Sequence, residues 1–367
     1  MQITIVAGAR PNFVKIAPII HAIQKSKREG ENIAFRLVHT GQHYDKKMSG
    51  DFFEQLEIPK PHANLESGGG TQAEQTAAIM IRFEKELIEN PTDLVLVVGD
   101  VTSTMACAIT AQKQYVKVAH VEAGIRSEDW TMPEEINRLV TDSITNYFFT
   151  TSERANENLR DTGVEEGRIF FVGNTMIDTL LKQRPNFKKP AIWKKLNLQE
   201  KGYIVMTLHR PANVDEENKL KELMNEIVNH TQDLPLIFPV HPRTEKILKG
   251  LGVSHSRLHM VEPLSYLEFN YLMERAKAVV TDSGGITEEA SIMNIPCMTL
   301  RDNTERPETM ELGTNMLLGT NPKAIKPAME KLFSGSWQET QEIPLWDGKT
   351  SDRIVNHLLA IFKKGAL

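Results

Sequence analysis

Residues 94–138 read LVLVVGDVTSTMACAITAQKQYVKVAHVEAGIRSEDWTMPEEINR, and their pattern decides the fold class. Leu94 to Val98 is an unbroken apolar run, and Val116 to Val121 is mostly β-branched. Strands of this kind are buried on both faces, as in a parallel sheet covered by helices. Each ends in a carboxylate, Asp100 after the first and Glu122 after the second. Ligands of open α/β sheets sit beyond the carboxyl ends of the strands, so both acids are expected in one crevice. A third acid, Glu134, follows Pro133 at a helix start, where proline fits the first turn and the dipole favours negative charge. Taken singly, Asp100 reads equally as a helix N-cap, and Glu134 as the partner of Arg138 one turn along. Their convergence on one stretch favours a chemical role.

On the N-terminal side, Ile3 to Ala7 reads as a strand. It is followed by Gly8-Ala9-Arg10-Pro11-Asn12 and a helix through Lys15, Ile16, Ile19, Ile20 and Ile23. Helix N-termini bind anions through free N–H groups, and Arg10 and Lys15 add charge, so this turn is a candidate phosphate site as well as a plain capping turn. Its glycine spacing fits neither the Walker loop nor the dinucleotide fingerprint. The next strand, Ile33 to His39, ends in Thr40-Gly41-Gln42-His43, where Gly41 breaks the helix that a His39/His43 metal pair would need. Ser67 to Gly70 reads as a mobile loop or a lid, and Thr71 with Glu74 forms a capping box for a helix to about Glu89.

On the C-terminal side, strands are expected at Tyr147 to Thr150 and Ile169 to Val172. The basic segment Gln183 to Lys201 reads as the passage between domains. A second series of strands follows at 203–207, 236–240, 258–261, 278–281, 296–300 and 316–318, alternating with helices. Two successive α/β halves predict two Rossmann-like domains facing across a cleft, an N-terminal one over 1–172 and a C-terminal one over 173–351. Ala278 to Thr281 runs into Asp282-Ser283-Gly284-Gly285 and a helix containing Glu288 and Glu289. Ser283, Gly284 and Gly285 let backbone N–H groups approach a phosphate, and an acid further along can accept ribose hydroxyls. Strand 203–207 ends in Leu208-His209-Arg210-Pro211, and the strand after it ends in Val240-His241-Pro242-Arg243. A histidine just past a strand end serves either the acids or a pyrophosphate, or is structural.

Composition narrows the classes. The 367 residues allow two domains, and 40% hydrophobic with 25% charged residues is ordinary for a globular chain. A net charge of −5 leaves no basic footprint for nucleic acid. Two cysteines, Cys107 in an expected helix and Cys297 in an expected strand, argue against a disulfide framework and fit a reducing cytoplasm. Neither a secretory leader nor a membrane-spanning run of about 18 apolar residues is read in the sequence. No nicotinamide fingerprint or metal cluster is read either, so no cofactor is expected.

Gly99-Asp100, HVEAGIRS at 120–127 and PEEINR at 133–138 together resemble the non-hydrolysing UDP-N-acetylglucosamine 2-epimerases, and the resemblance extends from Gly8 to beyond Arg306. It implies two Rossmann-like domains of the GT-B type, with the last helical stretch, within 352–367, packing back on the first domain. It further implies interconversion of a UDP-N-acetylglucosamine and UDP-N-acetylmannosamine pair, through elimination of UDP to 2-acetamidoglucal and re-addition. The alternatives are a 2-epimerase of a diacetamido or uronate UDP-sugar, or a glycosyltransferase of the same fold. The resemblance places catalysis on Asp100, Glu122, Glu134 and His209. It places UDP on Arg10, Lys15, Phe269, Ser283, Gly284, Gly285 and Glu289, the last at the ribose. It also implies a homodimer, and a regulatory substrate site at Gln42, His43, Arg210 and His241. The family usually reads G-x-R-P-E at the first turn; Asn12 stands here instead of the acid, so that acid's contacts do not transfer.

Overall fold

The computed structural model describes residues 1–41, 53–214, 216–240 and 242–365. The chain divides into two compact units, Met1–Lys182 with Pro344–Leu367, and Gln183–Ile343. The fold is α/β throughout.

Among its described residues the first unit is built on seven strands: β1 (Gln2–Ala7), β2 (Ala34–His39), β3 (Ala63–Asn64), β4 (Leu94–Val98), β5 (Lys117–Val121), β6 (Tyr147–Thr150) and β7 (Ile169–Phe171). Their order is β3-β2-β1-β4-β5-β6-β7, and every pairing is parallel. Parallel neighbours need crossover helices, which cover both faces, so β4 is buried at all five positions. Val95 and Val97 pack into a cluster with Ile79 and Phe83 of the helix Gln72–Glu89, and with Ala106 and Ala111 of the helix Thr102–Lys113. The capping box read from the sequence is present: Thr71 N–H donates to Glu74 Oε2 at 2.8 Å, and Glu74 N–H to Thr71 Oγ1 at 3.2 Å.

The helix Thr350–Lys363 closes this unit. Its first N–H groups would be orphans, but Asp178 of the helix Thr175–Gln183 accepts from Thr350 N–H at 3.1 Å and Ser351 N–H at 2.7 Å. A Lys25–Asp352 ion pair ties the same helix to Arg10–Arg28, and a Lys363–Glu31 pair ties it to the segment that follows.

Among its described residues the second unit has six strands: β8 (Ile204–Thr207), β9 (Leu236–Pro239), β10 (Leu258–Val261), β11 (Ala278–Thr281), β12 (Cys297–Thr299) and β13 (Asn315–Leu317). Their order, β10-β9-β8-β11-β12-β13, is again all parallel. In both sheets the chain starts in the middle, builds to one edge, returns to the middle and builds to the other edge. That leaves a switch point between β1 and β4 in the first unit and between β8 and β11 in the second, the place where doubly wound sheets bind ligands. Among the described residues, no helix is long and apolar enough to cross a membrane.

Candidate active site

At the β1/β4 switch point, the turn after β1 is held by Asn12. Its Oδ1 accepts from the N–H groups of Gly8 and Ala9 at 3.1 and 3.0 Å, and its Nδ2 donates to Val98 O at 3.1 Å. An amide does both jobs; a carboxylate has no proton for Val98. One turn further along the helix Arg10–Arg28, Lys15 reaches Glu122, Nζ to Oε2 at 2.6 Å. The pair lies directly under Gly99, where a Cβ would stand 3.2 Å from Lys15 Nζ and 3.6 Å from Glu122 Oε2. Gly99 sits at φ +69°, so a side chain there would add backbone strain to crowding. Glu122 is itself left-handed at φ +68° and only 3% exposed. A non-glycine residue in that conformation costs about 1 kcal/mol or more and persists where its surroundings over-determine it. Here Glu122 N–H is fixed to Phe149 O at 3.0 Å and its carboxylate to Lys15.

Asp100 is not the N-cap of the following helix: that position is Val101. Instead its Oδ2 accepts from Arg138 at 2.5 Å, and its backbone carbonyl accepts from Asn137 Nδ2 at 2.8 Å. Arg138 belongs to the helix Pro133–Ile144 and also donates to Glu135 at 2.7 Å. Glu134 stands half-buried in the first turn of that helix. Its neighbour Glu135 is buried and receives the N–H groups of Ser127 and Glu128. Burial opposes the charge on Glu135, but the Ser127 and Arg138 bonds outweigh it and hold the carboxyl below its usual range.

Behind these groups, His120 is fully buried, with Nδ1 2.7 Å from Asp142 Oδ1 and Nε2 2.8 Å from Gly99 O. Both ring nitrogens thus face oxygens, one a carboxylate and one a backbone carbonyl. Asp142 also accepts from Arg126 at 2.6 Å and Gly124 N–H at 3.1 Å. Burial opposes its ionisation too, yet the His120 and Arg126 charges keep its pKa low. This network fixes the Gly99 turn and the HVEAGIR segment to one helix.

At the β8/β11 switch point, Thr207 and Thr281 face each other with their hydroxyls 2.7 Å apart. The next residues out are His209 and Asp282. His209 Nδ1 lies 2.7 Å from the buried Asp282 carboxylate, which also takes backbone N–H groups of His209 and Arg210. Arg210 Nε adds a 3.0 Å bond to Asp282 O. Ser283 is the N-cap of the helix Gly284–Ile292, but its side chain makes no capping bond. Gly284 lies beside Arg301, which forms a two-point pair with Glu305 at 2.7 and 2.8 Å.

Glu289, further along that helix, accepts from Tyr266 OH at 2.8 Å. Burial pushes Glu289 up to about 7, with the neighbouring Glu288 charge adding to the shift. Glu288 pairs with Arg306. Glu308 is buried as well and likewise pushed up to about 7. Phe269 is half-buried on the helix Tyr266–Arg275.

The structure thus brings Lys15, Glu122 and Gly99-Asp100 together in the first unit, and His209, Arg210 and the Ser283 turn together in the second. Arg10 opens its helix, but its side chain lies outside the described residues, as do Gln42, His43 and His241. Among the described residues no group of His, Cys, Asp or Glu converges as a metal site. Sequence reading passed over Glu135, Asp142 and Asp282. Asp282 carried a signal, since it follows β11 as Asp100 follows β4.

A family model for UDP-N-acetylglucosamine 2-epimerase matches residues 25–359. The UDP-N-acetylglucosamine 2-epimerase of Methanocaldococcus jannaschii is 41% identical, over 98% of this chain and 99% of its own. The UDP-2,3-diacetamido-2,3-dideoxy-D-glucuronate 2-epimerase of Pseudomonas aeruginosa is 36% identical, over 98% and 99%. The crystal structure of the M. jannaschii enzyme in complex with UDP-GlcNAc and UDP superposes with a TM-score of 0.86, covering 98% of this chain and all of that one. Both the sequence and the two-sheet architecture are therefore shared end to end, and the chain belongs to the UDP-N-acetylglucosamine 2-epimerase family.

Proposed function

We propose that this chain interconverts UDP-N-acetylglucosamine and UDP-N-acetylmannosamine by inverting C2 of the sugar, through elimination of UDP to 2-acetamidoglucal and re-addition. The observation that carries the reading is the set of acids at the β1/β4 switch point, where Asp100 and Glu122 leave neighbouring strands and are held by Arg138 and Lys15. The C2 hydrogen is weakly acidic, so its removal must be coupled to departure of a stabilised anion, and the reverse step must deliver a proton to the other face. That chemistry needs more than one carboxylate near C2, and Asp100, Glu122 and Glu134 supply them. Arg10, Lys15, His209 and the N–H groups at Ser283, Gly284 and Gly285 stabilise the leaving pyrophosphate. Glu289 accepts the ribose hydroxyls, and Phe269 lies against the uracil. A glycosyltransferase would need one base and an acceptor groove rather than this set of acids.

The same reading extends to an enzyme of the cytoplasm that works as a homodimer and feeds polysaccharide synthesis. Gln42, His43, Arg210 and His241 would form a second substrate site that activates it. The monomer's mass by light scattering would refute the dimer, and a hyperbolic rate with UDP-N-acetylmannosamine alone would refute the activation.

The decisive experiment follows the hydrogen at C2. UDP-N-acetylglucosamine incubated with the enzyme in D2O is expected to exchange deuterium into C2 and to build UDP-N-acetylmannosamine, because a carboxylate that has taken the proton equilibrates with solvent. Proton NMR in one tube reads the outcome. Retention of the C2 proton in an active preparation would sink the mechanism and the roles given to the three acids. Faster turnover of UDP-2,3-diacetamido-2,3-dideoxy-D-glucuronate would keep the mechanism and change the substrate.

A further inference from the structure

Among the described residues the Asp282 carboxylate receives four donors, from the turn and short helix Pro211–Val214 that follow β8. They are the N–H of His209 at 3.0 Å, the N–H of Arg210 at 2.9 Å, the Asn213 amide at 3.2 Å and the His209 ring Nδ1 at 2.7 Å. Burial opposes ionisation of Asp282, but the His209 ring and the backbone N–H groups more than offset it, and the carboxyl stays below its ordinary range. An ionised carboxylate only accepts, so the ring nitrogen facing it must carry a proton. In a neutral imidazole this puts the lone pair on Nε2. Exposure runs the same way along the pair: Asp282 is 0% exposed, whereas the His209 side chain is 63% exposed. One nitrogen is locked against the buried acid and the ring reaches outward from it. The two residues leave β8 and β11, the strands that flank the switch point.

We propose that Asp282 is a positioning residue, which holds the His209 ring by its Nδ1–H so that Nε2 is the nitrogen that meets the substrate. This rests on the reading of His209 as a catalytic group. In the elimination, the C2–H bond breaks with its proton passing to a carboxylate. The C1–O bond breaks with its electron pair leaving on the β-phosphate oxygen. Nε2, having taken a proton from solvent, donates a hydrogen bond to that oxygen as charge grows there; the proton returns to solvent after UDP re-adds, so none is consumed over the cycle. Asp282 stabilises that imidazolium and prevents the ring from turning its other nitrogen outward.

Asp282 also fastens the turn, so loss of activity on mutation would not separate the two roles. The separation comes from the tautomer and from non-additivity. In the full-length enzyme labelled with 15N-histidine, the His209 signal, assigned by its absence in the exposed-site variant His209→Asn, is expected as the Nδ1–H tautomer. Asp282→Asn is expected to abolish that preference and to lower kcat by about 10²-fold or more, with UDP affinity by calorimetry within about 2-fold, since exchanging the acid of an Asp–His pair for its amide permits the wrong tautomer. Adding Asp282→Asn to His209→Asn is expected to slow turnover no further, because residues acting as a unit are not additive. An Nε2–H tautomer in the unmodified enzyme, which requires no Asp282 variant to fold, would overturn the proposal alone. So would an Asp282→Asn enzyme with unchanged kcat, or a double variant in which the two losses multiply. Normal turnover in His209→Asn would overturn the catalytic reading of His209 and the proposal with it.

Discussion

At the switch point of the first unit acids sit against cations; in the second, Asp282, Glu288 and Glu305 have basic partners, whereas Glu289 and Glu308 are raised by burial. Glu122 has Lys15, Asp100 and Glu135 share Arg138, and Asp142 has His120 and Arg126. In the second unit Asp282 is held by donors, whereas Glu289 and Glu308 are buried until they titrate at about 7. The two sheets have the same winding, so topology delivers side chains to the same place in each. What those side chains do is set afterwards, by whether each buried carboxylate is matched with positive charge. Glu135 and Asp142, held below their ordinary range, stay ionised at neutral pH. Raised acids near neutrality are suited to hydrogen-bonding polar groups without repelling a phosphate.

The harshest way to break this comparison is to remove one acid of the first unit without removing its shape. Asp100→Asn should lower turnover by about 10²-fold or more, the scale of a positioned acid or base, while thermal stability and UDP affinity stay near those of the parent. Steady-state rates beside calorimetric UDP titration check this. Near-normal turnover would leave Asp100 as a partner of Arg138 and nothing more.

A second large effect, read in stability rather than turnover, concerns the match itself. Lys15→Met leaves the Glu122 charge buried without its cation, and breaking a buried pair from one side costs roughly 3–5 kcal/mol. Denaturant unfolding should show that loss, and adding Glu122→Gln should recover most of it, because the double variant removes both charges. If Lys15→Met unfolds like the parent, the Lys15–Glu122 pair contributes nothing net and the contrast between the two units fails.

Much of this frame was legible in the sequence because buried parallel strands announce themselves. The run Leu94 to Val98 is found as read, and so are Tyr147 to Thr150, Leu258 to Val261 and Ala278 to Thr281. The strand Ala63–Asn64 was not legible, since two residues, one of them asparagine, carry no alternation or β-branched run. The strand-end rule located Asp100 and Glu122, and applied once more it would have singled out Asp282. Contacts between distant segments left no local trace. His120 meets Asp142 from 22 residues away, and Tyr266 meets Glu289 from 23. The role of Asn12 was hidden for a different reason: the resemblance sets an acid there, and only the geometry reveals an amide that must both donate and accept.

The smallest effect is also the most direct on the difference in sign between the units. Glu135 and Asp142 have folded pKa values below the ordinary range, so the stability they contribute is present at neutral pH and lost as pH falls through their folded values. Glu308 is the reverse: its folded pKa is about 7 against an ordinary 4.5, so its contribution is full below the lower figure and lost as pH rises through the upper one. One pH unit is worth about 1.36 kcal/mol per proton, and between pH of about 5.5 and 8.5 the folded state gives up roughly 1.5 units of that advantage. Glu308→Gln never ionises, so relative to the parent it should gain about 2 kcal/mol over that range. Denaturant midpoints of parent and variant at the two pH values measure the gain directly, without assigning any signal to a unit. A difference that stays constant with pH would mean that Glu308 is ionised when folded, and that the second unit matches its acids as the first does.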